Sequence, residues 1–166
     1  MPSKVRVKDK GWQKIIATAK RYSGLHGRVA SVGIQGPEAE GRSGDPATNA
    51  MLGTVHEFGC PKRGIPERSF LRSTFNENLS KYEQELERIS ALGASGEDIE
   101  GELRMLAEQF RADVLAKLKS DIPPPTQRQL DPDNPKSADP ALFDTGQLWN
   151  SISAQVKNAA DVQGAR

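Results

Sequence analysis

Apolar residues along this chain change period several times, and each change marks an element. Lys4-Val5-Arg6-Val7-Lys8 alternates charge and valine with period two, which predicts a short strand with one buried face. Trp12, Ile15, Ile16 and Ala19 then recur at helical spacing, with Lys14, Lys20 and Arg21 between them, and Ser23-Gly24 ends that helix. Arg28 to Gln35 is rich in β-branched residues and predicts a second strand carrying Val29, Val32 and Ile34. Leu71, Phe75, Leu79, Tyr82, Leu86 and Ile89 step by four and three residues, predicting one long amphipathic helix from Ser69 to Leu92. Gly93-Ala94-Ser95-Gly96 interrupts the stripe, which resumes at Ile99, Leu103, Leu106, Phe110, Val114 and Leu118 up to Asp121. The two stripes predict an antiparallel helical hairpin covering one face of the sheet. Leu148, Ile152 and Val156 lead into a final strand around Ser151 to Lys157.

Between these elements the turn chemistry is dense. Thr48 is an N-cap candidate for a short helix through Phe58, which Gly59 stops and Cys60-Pro61 keeps from continuing. Pro66, with Glu67 and Ser69 in a first turn, is expected to open the following helix. Phe58, Phe70 and Leu71 are expected to pin this junction to the core. Gly36 to Asp45 reads as a mobile loop. Ile122 to Phe143 holds six of the 11 prolines, so it is expected to be extended and mobile until a neighbouring subunit orders it. The chain is thus read as one α+β domain over 1–158: a small, mainly antiparallel sheet against a long antiparallel helical hairpin. Mobile loops fall at 36–47 and 122–144, and 159–166 is a polar tail.

Composition narrows the function classes. Aromatic residues make up 5% of the chain and hydrophobic residues 36%, a modest core that is expected to complete its burial against partner subunits. With 23 basic and 22 acidic residues the net charge is +1, so no global field draws the chain to nucleic acid or an anionic membrane. No apolar run approaches the ~20 residues of a bilayer span. The single Cys60 fits synthesis in a reducing cytoplasm, and one cysteine with two histidines makes a protein-built zinc site improbable.

Chemistry-bearing residues are few. His56 beside Glu57 invites a catalytic or metal reading, but neighbours on a helix diverge by roughly 100°. The zinc-protease pattern needs a second histidine where this chain has Cys60. A structural hydrogen bond from His56 or Glu57 into the nearby loop, or a contact across a subunit boundary, is expected instead. Arg68 and Arg72, beside Glu67, read as a local ion pair, or as contacts to Glu57 or an adjacent subunit. Lys4, Arg6 and Lys8 form a basic row whose plain reading is a solvated strand face. Asp144-Thr145-Gly146 is a turn, and Gly33-Ile34-Gln35-Gly36 lacks phosphate-loop spacing. No catalytic, metal or cofactor-binding residue is assigned.

Asn49-Ala50, His56-Glu57-Phe58-Gly59 and Ile65-Pro66-Glu67-Arg68-Ser69-Phe70-Leu71 resemble the virion morphogenesis and tail-completion proteins of tailed bacteriophages. A second block, Asp144-Thr145-Gly146-Gln147-Leu148 with Asn150-Ser151-Ile152, follows in the expected order, and Val32-Gly33-Ile34 matches ahead of the first. The resemblance implies a structural virion protein of the neck or upper tail rather than an enzyme, without a cofactor, made in the host cytoplasm. It implies a homo-oligomeric, sixfold ring that meets the tail tube or terminator protein on one side and head–tail connector proteins on the other, with Lys4, Arg6 and Lys8 as the face for non-specific contact to DNA in the channel. Completion protein, terminator and connector are not separated by these motifs, and a non-virion DNA-binding assembly factor is the alternative.

Overall fold

The computed structural model describes residues 27–40, 47–120, 122–135, 137–139, 142 and 146–158. The expected Lys4 to Lys8 strand, the helix after it and the 159–166 tail lie outside the described residues, as do Asp144 and Thr145.

The fold is α+β. Strand β1 (Arg28–Ile34) pairs antiparallel with β2 (Ile152–Asn158) from Arg28↔Asn158 to Ile34↔Ile152, and among the described residues the sheet has these two strands. Period-two alternation puts Val32, Ile34, Ile152 and Val156 on one face, toward the helices. The Gln35 side chain clips the end of the ladder, its Nε2 donating to the carbonyls of Ser31 at 3.2 Å and Ser153 at 3.1 Å.

Helix α1 (Asn49–Phe58) follows, then α2 (Leu71–Glu77), α3 (Leu79–Ser95) and α4 (Glu100–Lys119). Two short helices, α5 (Gln127–Leu130) and α6 (Gln147–Asn150), precede β2. The expected continuous helix from Ser69 is therefore two helices, broken at Asn78. There the side-chain Nδ2 donates to the Thr74 carbonyl at 2.9 Å, competing with the backbone ladder. The stop after α3 is Gly96 (φ 94°) rather than Gly93, which is buried inside the helix. Gly96 and Glu97 donate back to the carbonyls of Gly93 and Leu92, the Schellman pattern that only a left-handed residue closes.

Side-chain pairs between the Glu77 to Ile89 stretch and α4 run in opposite senses. Lys117 pairs with Glu77, Asp113 with Lys81 at 2.8 Å, and Glu102 with Arg88 at 2.5 Å. Phe75, Tyr82 and Phe110 form a tilted aromatic trio with centroids 5.2–5.8 Å apart. The Tyr82 hydroxyl donates to Asp113 at 2.9 Å, and burial together with that carboxylate raises the Tyr82 pKa. Helix α4 is the element that lies along the sheet. Phe70, Val114, Leu118, Ile122 and Ile152 form the main buried cluster, and Ile89, Ile99 and Leu103 a second one that reaches Val156. Of the expected apolar stripe, Tyr82 and Ile89 are buried while Phe75, Leu79 and Leu86 stay exposed.

Candidate functional site: the Glu57 and Arg68 junction

Helix α1 is built from both ends as its sequence dictates. The Thr48 hydroxyl oxygen accepts from the Met51 amide at 3.1 Å, and Gly59 leaves the helix at φ 72°, ψ 171°, a region that side chains disfavour. A bridge between Cys60 and Ile65 then closes a tight loop over Pro61–Arg63, with Gly64 left-handed at φ 66°. The chain returns past the end of α1, where the Arg68 amide donates to the His56 carbonyl at 2.7 Å. Pro66 to Ser69 are therefore not helical, and α2 begins only at Leu71 instead of at Pro66.

The reason that α2 begins there is Glu57. Its buried carboxylate sits over the first turn of α2, where amides have no partner inside the helix and the helix dipole is positive. Oε2 accepts from the amides of Phe70 at 2.8 Å and Leu71 at 2.9 Å. Oε1 accepts from the Arg72 amide at 2.9 Å, the Ser69 hydroxyl at 2.7 Å and Arg72 Nε at 3.1 Å. Phe70 has no capping side chain of its own, so a residue of the preceding helix supplies the cap. Burial pushes the Glu57 pKa up, but the donors from Leu71, Arg72, Ser69 and Phe70 outweigh it and the net direction is down.

Arg72 binds this corner from outside. Its Nη2 donates to the Glu57 carbonyl at 2.9 Å and to Glu67 Oε1 at 2.7 Å, and its guanidinium carbon stands 4.5 Å from the centre of the Phe58 ring. Phe58 does not pin the junction to the core as expected. It is 58% exposed, lying under Arg72, while Phe70 is fully buried and Leu71 packs half-buried against the main cluster. Ile65 is half-buried and Pro66 exposed.

Arg68 is buried and turns away from Glu57. Its Nε donates to the Pro124 carbonyl at 2.7 Å and its Nη2 to the Pro125 carbonyl at 3.1 Å, and burial lowers its pKa. The proline-rich stretch is thereby tied down within the single chain. Ile122 enters the main cluster, and Thr126 caps the short α5, exchanging bonds with Gln129. Over 122–130, within the stretch expected to be mobile, two carbonyls that no sheet or helix can use meet a buried guanidinium, and Ile122 is buried.

The second sequence block meets the first in space. Gly146 is buried at φ 74° before α6, Leu148 and Ser151 are buried, and the Ser151 hydroxyl donates to the Leu148 carbonyl at 2.6 Å. Helix α6 packs on α1 at Gly53, where an added Cβ would lie 2.1 Å from Ile34 Cδ1 and 3.7 Å from Leu148 Cδ1. Gly53 is a residue that sequence reasoning passed over. A glycine in the middle of an amphipathic helix was its available signal. Lys4, Arg6 and Lys8, the expected channel row, lie outside the described residues, with Asp144 and Thr145 of the second block.

As chemistry, the site is a joint. Five donors occupy the two Glu57 oxygens, which leaves no free basic lone pair for proton transfer. His56 faces elsewhere: its Nδ1 is buried without a hydrogen-bond partner, and burial followed by the Arg68 charge lowers its pKa. Among the described residues no group of three His, Cys, Asp or Glu is placed to hold a metal. No family model, curated protein or solved structure matches the chain.

Proposed function

We propose that the chain is a structural subunit of the neck or upper tail of a tailed bacteriophage, one copy of a homo-oligomeric ring that completes the tail for joining to the DNA-filled head. One observation carries this reading. The two sequence blocks that resemble tail-completion proteins, separated by some seventy residues, share one core: Phe70 of the first and Ile152 of the second are fully buried in the same cluster. Residues that act as one structural unit are what a shared architecture, rather than chance similarity in two short stretches, would retain.

The use of the polar motif residues supports the same reading. Glu57 and Arg68 are committed to backbone groups that set the angle between α1 and α2 and the path of the proline-rich stretch. Polar residues spent on holding the chain's own path serve architecture, which is what a structural subunit asks of them. Tail tube or terminator and head connector proteins are its partners in this reading, and the ring is sixfold.

The test is the protein's location in purified particles of the phage that encodes it, by mass spectrometry of isolated tails and by labelled electron microscopy. Presence in the tail fraction in several copies per particle, with labels at the head-proximal end, is the expected result. Absence from finished virions would overturn the proposal and favour a non-virion assembly factor.

A further inference from the structure

Two helices each present exposed apolar residues beside unpaired charge of one sign. On α1, Met51 and Phe58 are exposed, with half-buried Val55 between them on the same side of the helix. The loop that follows adds Lys62 and Arg63, both exposed and, among the described residues, without an ion-pair or hydrogen-bond partner. The exposed Glu67 carboxylate of this corner is paired with Arg72, whose guanidinium stands over Phe58, so the corner keeps a positive excess.

On α3 the sign is reversed. Leu79 and Leu86 are exposed, and Glu83 and Glu87 lie on the same side of the helix, exposed and unpaired among the described residues. Like charges four residues apart on a helix repel, and a cation supplied from outside relieves this. The basic residues of α3 are engaged elsewhere: Lys81 with Asp113 of α4 at 2.8 Å, and Arg88 with Glu85 and Glu102. The apolar spacing also matches. Met51 and Phe58 are seven residues apart, as are Leu79 and Leu86, so each helix offers two apolar contacts about 10 Å apart. The inner sides of the helices pack on different elements, α1 on β1 and α6, and α3 on α4.

We propose that the α1 face of one copy, with Lys62 and Arg63, docks on the α3 face of a second copy, with Glu83 and Glu87, so that Met51 and Phe58 meet Leu79 and Leu86. This rests on the ring reading above and names the two surfaces that build the ring. A patch and its complement on one chain make a head-to-tail contact, which repeats from copy to copy. The apolar residues supply the buried area. The charges select the pairing, since α1 against α1 sets cation on cation and α3 against α3 sets anion on anion.

Sedimentation velocity of the full chain tests this with two variants, Lys62→Glu with Arg63→Glu, and Glu83→Lys with Glu87→Lys. The unaltered chain is expected to associate beyond a dimer as its concentration rises. Each variant alone is expected to need roughly tenfold more protein or greater to associate, because like charges then face each other. An equal mixture of the two is expected to recover, since every contact between unlike copies again joins opposite charges. None of the four residues has a partner within the described chain, so unchanged circular dichroism and urea midpoints are expected for both variants. An unaltered chain that stays monomeric at about 0.5 mM would overturn the proposal. Variants that associate like the unaltered chain would also overturn it, as would loss in both without recovery on mixing. Recovery on mixing for a protein absent from finished virions would retain this contact and overturn the phage reading instead.

Discussion

The Glu57 carboxylate and the Phe70 amide, thirteen residues apart and both buried, are joined by a 2.8 Å hydrogen bond that crosses from one helix to the start of the next. It makes the end of α1 a condition for the beginning of α2. The same carboxylate holds the Leu71 and Arg72 amides, so three successive donors depend on one side chain. Local capping normally places donor and acceptor within four residues; here the loop from Gly59 to Ser69 brings them together.

Glu57→Gln is expected to cost roughly 2–4 kcal/mol, because the amide nitrogen faces donors and the charge that strengthens the remaining bonds is lost. Glu57→Ala should cost at least as much, leaving buried amides unpaired. Urea unfolding measures both. A loss below about 0.5 kcal/mol for either variant, the range of an ordinary surface change, would show that the cap is not needed.

The outline of the fold was legible because it depends on short-range patterns: Thr48 and Gly59 bound α1, β-branched residues mark β1, and the stripe from Ile99 to Leu118 makes α4. The joint was not. Glu57 and Arg68 bind backbone groups, and a backbone amide or carbonyl has no signature in the sequence. Arg72, rather than Arg68, meets Glu57 because Arg68 is aimed at Pro124 and Pro125, more than fifty residues away. Phe58 looked like a core residue by type, yet the cation above it explains its exposed position better than any apolar neighbour.

Two glycines in one loop should respond differently to alanine. At Gly59 the added Cβ would stand 2.9 Å from the Glu67 nitrogen and 3.1 Å from the Ile65 carbonyl oxygen, both backbone atoms that cannot move aside. At Gly64 φ is also positive, but nothing lies within 4 Å of the added atom. Gly59→Ala is expected to cost about 3 kcal/mol or more, and Gly64→Ala about 1 kcal/mol, the strain of the backbone alone. Comparable losses in thermal or urea unfolding would refute the steric account.

Arg68→Leu keeps bulk and removes both bonds to the proline-rich stretch. The carbonyls of Pro124 and Pro125 then lose their donors, and the expected cost is about 2 kcal/mol. The more specific expectation is local: amides of α5 and its flanks should exchange faster while those of α4 remain protected. Arg68→Lys should rescue only in part, since an ammonium cannot present the two-pronged geometry. Unchanged exchange around Thr126 to Leu130 in Arg68→Leu would mean that Ile122 alone anchors the stretch.

Acid should unfold the chain in two stages. His56 has a lowered pKa in the fold, through burial and then the Arg68 charge, so the unfolded chain takes up that proton first. Stability therefore begins to fall as pH drops below the ordinary histidine value of 6.5, at up to about 1.4 kcal/mol per pH unit for one proton, and this contribution levels off below the folded pKa. Glu57 also has a lowered pKa: its stabilisation is complete above the ordinary value of 4.5 and is lost as pH falls through the lower folded value. Asp113, its pKa lowered by Lys81, Tyr82 and Gln109 against burial, adds to the lower stage. Urea titrations from pH 7.5 to 3.5 should show both declines. His56→Gln is expected to remove its share of the upper decline and leave the lower, while Glu57→Gln does the reverse, with the Asp113 share remaining. A wild-type stability that stays level between pH 6.5 and 5 would show that His56 accepts a proton in the folded chain as readily as in the unfolded one.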